Sequence, residues 1–251
     1  MKRIIVLVLV IMLVMATGYA DERNLGTKCG DFWYDLNDDG TARLTACFNV
    51  DETLELPPEL DGYPVTVISY QAFLYYSPAK VVIPEGVVEI LHGAFKDNDM
   101  IISVTLPYSL TVMSSNPFVN CPNLSEIVIP EDHPVFEITD GVLMHREEKR
   151  VICPVNGYDE TIIIPAGAET IGYGAFYNNS SVSQVRLHDG ITKIDDMAFA
   201  GCANLNSIVI PPSVEYIGEW ALDGIDFVSV YRGSYAEEYC RENEIPFEYF
   251  D

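Results

Sequence analysis

The fold class the sequence predicts is a mostly β solenoid, built from short parallel strands joined by turns or short helices. Three observations predict it. An apolar pattern recurs at a spacing of 22 or 23 residues through most of the chain, as in Ile171, Ala175-Phe176, Asn179, Val182 and Val185, then Ile194, Ala198-Phe199, Cys202, Leu205 and Ile208. Each copy carries a strand-length apolar alternation, and most end it in a proline, as Ile208-x-Ile210-Pro211 does. No copy holds enough apolar surface to fold alone, so neighbours must stack and share one interior.

The chain opens with a basic Lys2-Arg3 head, an apolar run from Ile4 to Ala16 and the small-residue site Gly18-Tyr19-Ala20. This reads as an export leader over residues 1–20, cleaved after Ala20. The 13-residue apolar run falls short of the roughly 20 residues that span a bilayer, so no membrane segment is expected after cleavage. Net charge is −24, and loss of Lys2 and Arg3 with the leader makes it more negative still. Such a charge repels phosphates and so argues against nucleic acid and anionic membranes as partners. It keeps an exported protein soluble, and it also suits a basic partner.

Residues 21–53 form the N-terminal segment and a β-hairpin cap. Phe32-Trp33-Tyr34 and Ala42-Arg43-Leu44 flank the turn signal Asn37-Asp38-Asp39-Gly40. Pairing Leu36 with Thr41 brings Cys29 opposite Phe48, one residue from Cys47, so a Cys29–Cys47 disulfide is expected in an exported chain. Asp35-x-Asn37-x-Asp39-Gly40 also matches the first half of a calcium loop. Its twelfth position is Ala46 rather than a bidentate Glu, and a tight turn accounts for the cluster without metal. No metal or cofactor is expected.

The solenoid proper covers 54–227. In each copy the strand sends alternate residues inward, and parallel pairing with the next coil satisfies the backbone. Proline ends the strand because it has no N–H for the ladder. Asn98, Cys121, Asn179 and Cys202 fall at a turn, where a small or polar buried side chain caps loop backbone groups. Phe95, Phe118, Phe176 and Phe199 are expected in one continuous column. The consensus I-x-x-h-x-x-A-F-x-x-C/N-x-x-L-x-x-h-x-I-P, carried in six copies, closely resembles the BspA-type leucine-rich repeat of bacterial surface and secreted proteins. The resemblance spans roughly residues 54 to 251. It implies a right-handed leucine-rich-repeat solenoid, a bacterial secreted or cell-surface location, and a role in adhesion or protein binding, with the repeats as scaffold rather than catalytic motif.

Between Ile129 and Ile164 the spacing stretches to 35 residues. Residues 131–160 read as an irregular repeat, two strand-like runs around the charged turn Arg146–Arg150, which resembles a hairpin repeat of that family. It is expected to project from one edge of the solenoid. Residues 228–251 form the C-terminal cap. Ser234-x-x-Glu237 is a capping box, Tyr235 to Glu242 a short helix, and Ile245 to Tyr249 a returning strand.

Cys121 and Cys202 share a repeat position but lie three coils apart, about 14 Å at the strand spacing, beyond a disulfide's reach. They, Cys153 and Cys240 are expected as thiols. His92, His133, His145 and His188 sit in no catalytic or metal-binding context. No enzymatic activity is expected.

The candidate binding face is the row of outward residues at the strand centres: Val82, Thr105, Val128, Ile163, Arg186 and Val209. Four of the six are aliphatic on a strongly acidic chain, which reads either as an interaction stripe or as plain β-propensity. Two functions follow. One is a protein-protein interaction or adhesion module whose partner is an extracellular or cell-surface protein. The other is a structural, self-assembling envelope component without a specific ligand.

Overall fold

The computed structural model describes residues 26–48, 51–74, 78–113, 115–155 and 161–250, and the expected leader lies outside them. Each coil contributes strands to two walls that face each other across an apolar interior. The first wall starts as four parallel strands, Thr53–Glu55, Lys80–Val82, Ser103–Thr105 and Glu126–Val128. It resumes as five, Thr161–Ile163, Gln184–Arg186, Ser207–Val209, Phe227–Val230 and Phe247–Tyr249. In the second wall Tyr63–Ile68 pairs with Glu89–Ile90, and further on Arg150–Pro154 leads to Thr170–Ile171, Lys193–Ile194 and Tyr216–Ile217, all in parallel. Among the described residues no helix is long and apolar enough to cross a membrane.

The Ala-Phe turn is the second device that joins coils. Phe73 N–H donates to the Ala94 carbonyl (3.0 Å), Phe95 to Pro117 (2.9 Å), Phe176 to Ala198 (2.8 Å) and Phe199 to Ala221 (2.9 Å). The rings inherit the same pitch. Phe73–Phe95, Phe95–Phe118 and Phe176–Phe199 stack with centroids 4.4, 5.2 and 5.0 Å apart, close to the ~4.8 Å strand repeat. The Ala-Phe turns take left-handed backbone on both sides; Asn116, held before Pro117, is the exception on the leading side. Asp97, Asn120 and Asn178 supply that backbone after the turn, being among the residues that enter this region most readily. Before it stand Gly93 and Gly174, but also Gln71, Met197 and Trp220 at φ of 55°, 55° and 52°.

A polar column seals the Ala-Phe turns, and a buried histidine does the same work at the turn after a strand. The Asn98 amide Nδ2 donates to the Phe73 carbonyl (3.4 Å) while its Oδ1 accepts from the Met100 and Ile101 N–H groups. The Cys121 and Cys202 thiols donate to the Phe95 and Phe176 carbonyls, each at 3.0 Å. Asn179 Oδ1 accepts from Ser181 and Val182. His133, 1% exposed, takes the part of an asparagine: Nδ1 accepts from Val135 (3.2 Å) and Phe136 (3.1 Å), and Nε2–H donates to Pro107 (3.2 Å). That pattern requires the neutral ring.

The N-terminal cap differs from expectation in one respect. The hairpin Phe32–Leu36 and Ala42–Cys47 forms, with Leu36 opposite Ala42 and an irregularity between Trp33 and Tyr34. A further strand, Thr27–Cys29, folds back on it, so Cys29 lies opposite Phe32 and Phe32 opposite Cys47. The two cysteines thus sit two strands apart, about 9–10 Å, and the expected Cys29–Cys47 disulfide is absent; each is a thiol. In the turn, Asp39 Oδ1 accepts from both the N–H and the hydroxyl of Thr41 (2.9 and 2.6 Å), so this carboxylate is already engaged.

The irregular repeat does not project. It is a meander of three strands, Phe136–Thr139, Val142–His145 and Arg150–Pro154, whose last member continues the second wall. The middle strand is buried on both faces. Leu143 packs in the N-terminal interior while Val142 and Met144 pack in the C-terminal one, and Ile152 and Val151 divide in the same way. The core is therefore two bodies with a shared partition, and the phenylalanines form two columns rather than one. At the C-terminus, Tyr235–Glu242 is the helix, capped by Ser234, whose hydroxyl accepts from Glu237 N–H (3.2 Å). Arg241, the Gly233 N–H and the Tyr249 hydroxyl hold the Glu237 carboxyl down to about 2. Phe247–Tyr249 then closes the first wall.

Burial holds the His133 imidazole below its usual range. Arg146, which donates to the His133 carbonyl, adds to this, while the Pro107 carbonyl and Glu85 oppose it. A depressed histidine contributes stability that is complete above the unfolded value near ~6.5 and lost as pH falls below it. His133→Asn supplies the same donor and acceptors without a titrating ring. Denaturant melts from pH 7.5 to 5 should show wild type losing more stability than H133N; parallel curves would refute this.

Candidate interaction surface

The six outward residues fall on the first wall as two register ladders. Val82 lies beside Thr105 and Thr105 beside Val128; Ile163 lies beside Arg186 and Arg186 beside Val209. The strands Glu126–Val128 and Thr161–Ile163 do not pair with each other, so the expected single stripe is interrupted between Val128 and Ile163. Those two are also the most open aliphatic members, 41% and 56% exposed, because each lacks a rung neighbour on one side. Val82, Thr105 and Val209 are half-buried and Arg186 is exposed. Polar neighbours order the row: Ser103 donates to Glu126 (2.7 Å), and Arg186 Nε to Gln184 (3.3 Å).

Behind the interruption the coils are joined through one side chain. Asn116, 4% exposed, donates from Nδ2 to the Gly174 and Ala175 carbonyls (3.2 and 3.0 Å) and accepts from Phe118 N–H (2.8 Å). The turn after Met113 thus abuts the turn after Ile171, while the irregular repeat adds strands without an Ala-Phe turn. Beside this junction a crevice of about 30 Å³ opens between Asn120 and Asn178, floored by Phe118, Cys153 and Phe176. That is room for little more than water.

Among the described residues the four histidines sit apart, each with its own local partner. His188 Nε2 lies 2.9 Å from the Pro165 carbonyl, and its Nδ1 accepts from Gly190. His92 Nδ1 meets Ser115 Oγ (3.0 Å), and His145 lies near Glu148 (3.6 Å). Burial pushes the Cys121 and Cys202 thiols up to about 12 and Cys240 to about 11, which removes the nucleophilic thiolate. Among the described residues no three His, Cys, Asp or Glu side chains converge as metal ligands.

A second surface feature went unread in the sequence. Two residues past the inward Ile68, Ile90 and Ile171 stand Tyr70, His92 and Tyr173. Tyr70 and His92 stack at 6.1 Å, and His92 meets Tyr173 edge-on at 5.3 Å, so this aromatic row bridges the two halves of the array. The repeat spacing carried that signal.

The sequence matches the family profile described as BspA type leucine-rich repeat region in six copies, over residues 60–148 and 158–236. Among curated proteins none matches. Among solved structures, a leucine-rich repeat protein from Eubacterium ventriosum aligns with TM-score 0.50 and 16% identity, covering 84% of this chain and 72% of that one. The leucine-rich repeat protein of T. pallidum aligns at TM-score 0.44 and 20% identity, covering 88% and 97%. A leucine-rich cell surface protein of Faecalibacterium prausnitzii aligns at 0.36 and 16%, covering 92% and 96%. At 16% identity the first of these speaks to the fold alone.

Asn116→Ala removes three buried hydrogen bonds and takes the side-chain partner from the Ala175 carbonyl and the Phe118 N–H, while the Gly174 carbonyl keeps the Tyr177 N–H (3.1 Å). It should destabilise the protein by about 2–3 kcal/mol, read as a lower denaturant midpoint at unchanged slope; a shift under about 0.5 kcal/mol would show that the junction does not depend on this side chain.

Proposed function

The chain belongs to the BspA-type leucine-rich-repeat family, and from that premise we propose that it is exported and serves as a protein-protein interaction or adhesion module, without catalysis. The observation that carries this reading is the outward row of the first wall, with Val128 and Ile163 left 41% and 56% exposed on a chain of net charge −24. Exposed aliphatic residues at the facing ends of two register ladders suit a protein surface, since a partner supplies the apolar cover that water cannot. The leader pattern supports export, and membership of this family is in keeping with a bacterial surface location. The partner is then an extracellular or cell-surface protein.

Edge strands favour a second reading. Thr53–Glu55 and Phe247–Tyr249 end the first wall, each paired on one side only. Head-to-tail pairing of copies through such edges builds an open filament, the behaviour of a structural envelope component.

The two readings separate in solution. Extracellular proteins captured by the mature chain should be lost to the triple variant V128D/I163D/V209D while its circular dichroism stays unchanged; undiminished capture discards the strand face. Light scattering of the purified chain should report a single copy across concentrations, whereas growth in mass with concentration selects the assembly reading.

A further inference from the structure

The sites where the protein meets its own cations point to a second docking surface, on the outer side of the second wall at its C-terminal end. Among the described residues, four aromatic rings carry a basic group of the same chain: Trp33 under Lys28 (4.8 Å), Tyr216 under Lys193 (5.4 Å), Tyr249 under Arg232 (3.7 Å) and Phe247 under Arg241 (5.2 Å). At the second of these, Lys193 Nζ also lies 2.7 Å from Asp195 Oδ1. An ammonium is thus held between a ring face and a carboxylate, the geometry in which both attractions add.

Four residues past Tyr216, in the same coil, stands a ring with no such occupant. Trp220 is 60% exposed, the highest value among the described large hydrophobic residues. No ring or cation of the described residues lies against it. Its backbone is left-handed, φ 52°, in a column where Gly93 and Gly174 stand without strain. Two acids belong to the same turn: Glu219 precedes Trp220 in the chain, and Asp196 Oδ1, which also acts on Lys193, accepts from the Glu219 N–H (2.9 Å). A bulky, exposed indole held at a left-handed position in an acidic turn contributes little to the fold.

We propose that Trp220, with Asp196 and Glu219, is a docking site for the cationic side chains of a lysine- or arginine-rich segment of a partner protein. The ring faces the cation, the acids neutralise it, and the acidic chain draws such a segment in from a distance. The site is separate from the strand face of the first wall and stands or falls independently of it.

Titration calorimetry of the full chain with octa-arginine at about 0.15 M salt tests this directly. Trp220→Gly should weaken binding about tenfold while its melting temperature holds or rises, because glycine relieves the strained backbone. The pair D196N/E219Q should weaken it comparably, since the amide oxygen introduced at position 196 can still accept from the N–H of residue 219. Equal affinity for wild type and W220G would reduce the attraction to diffuse charge and overturn the site. Tighter binding of a neutral oligosaccharide than of octa-arginine, lost in W220G, would overturn the assignment to cations.

Discussion

One pitch governs the molecule. The parallel ladders, the turn-to-turn hydrogen bonds and the stacked phenylalanines must all advance by the same ~4.8 Å per coil. Rings at 4.4 to 5.2 Å satisfy this. Any side chain that changes the advance of one device throws the others out of step. This is why the interior positions recur so faithfully, and why departures cluster where the pitch is interrupted. A polar cap in each turn serves the same end, since an unsatisfied carbonyl between coils would push them apart to admit water.

Much of this was legible beforehand because a repeat states its rule several times. The inward Ile, the Ala-Phe turn and the Asn/Cys cap follow from spacing alone, and the C-terminal helix from Tyr235 to Glu242 follows from its capping box. What escaped were features that depend on one copy meeting another out of sequence. The 35-residue interval between Ile129 and Ile164 announced an irregular repeat. Nothing in it said that Asn116 would bond to Gly174 across 58 residues, or that Val142–His145 would be buried on both faces. Similarly, the disulfide expectation failed through a single strand, Thr27–Cys29, too short and polar to read as one.

The candidate site was legible as a list and not as a shape. All six outward residues point where alternation sends them, but register alone could not reveal that they form two threes. Trp220 shares its left-handed backbone with Gln71 and Met197 at equivalent places in other coils, but it alone of the three is exposed, and nothing in the spacing says so.

The partition formed by Val142–His145 bears on how the protein comes apart. A stack held by nearest neighbours frays from its ends, one coil at a time. Fraying from either terminus meets a strand whose two faces belong to different interiors, so further opening must expose both at once. The meander therefore acts as a firebreak: damage, proteolytic nicking or tension applied at one end stays in that half of the array.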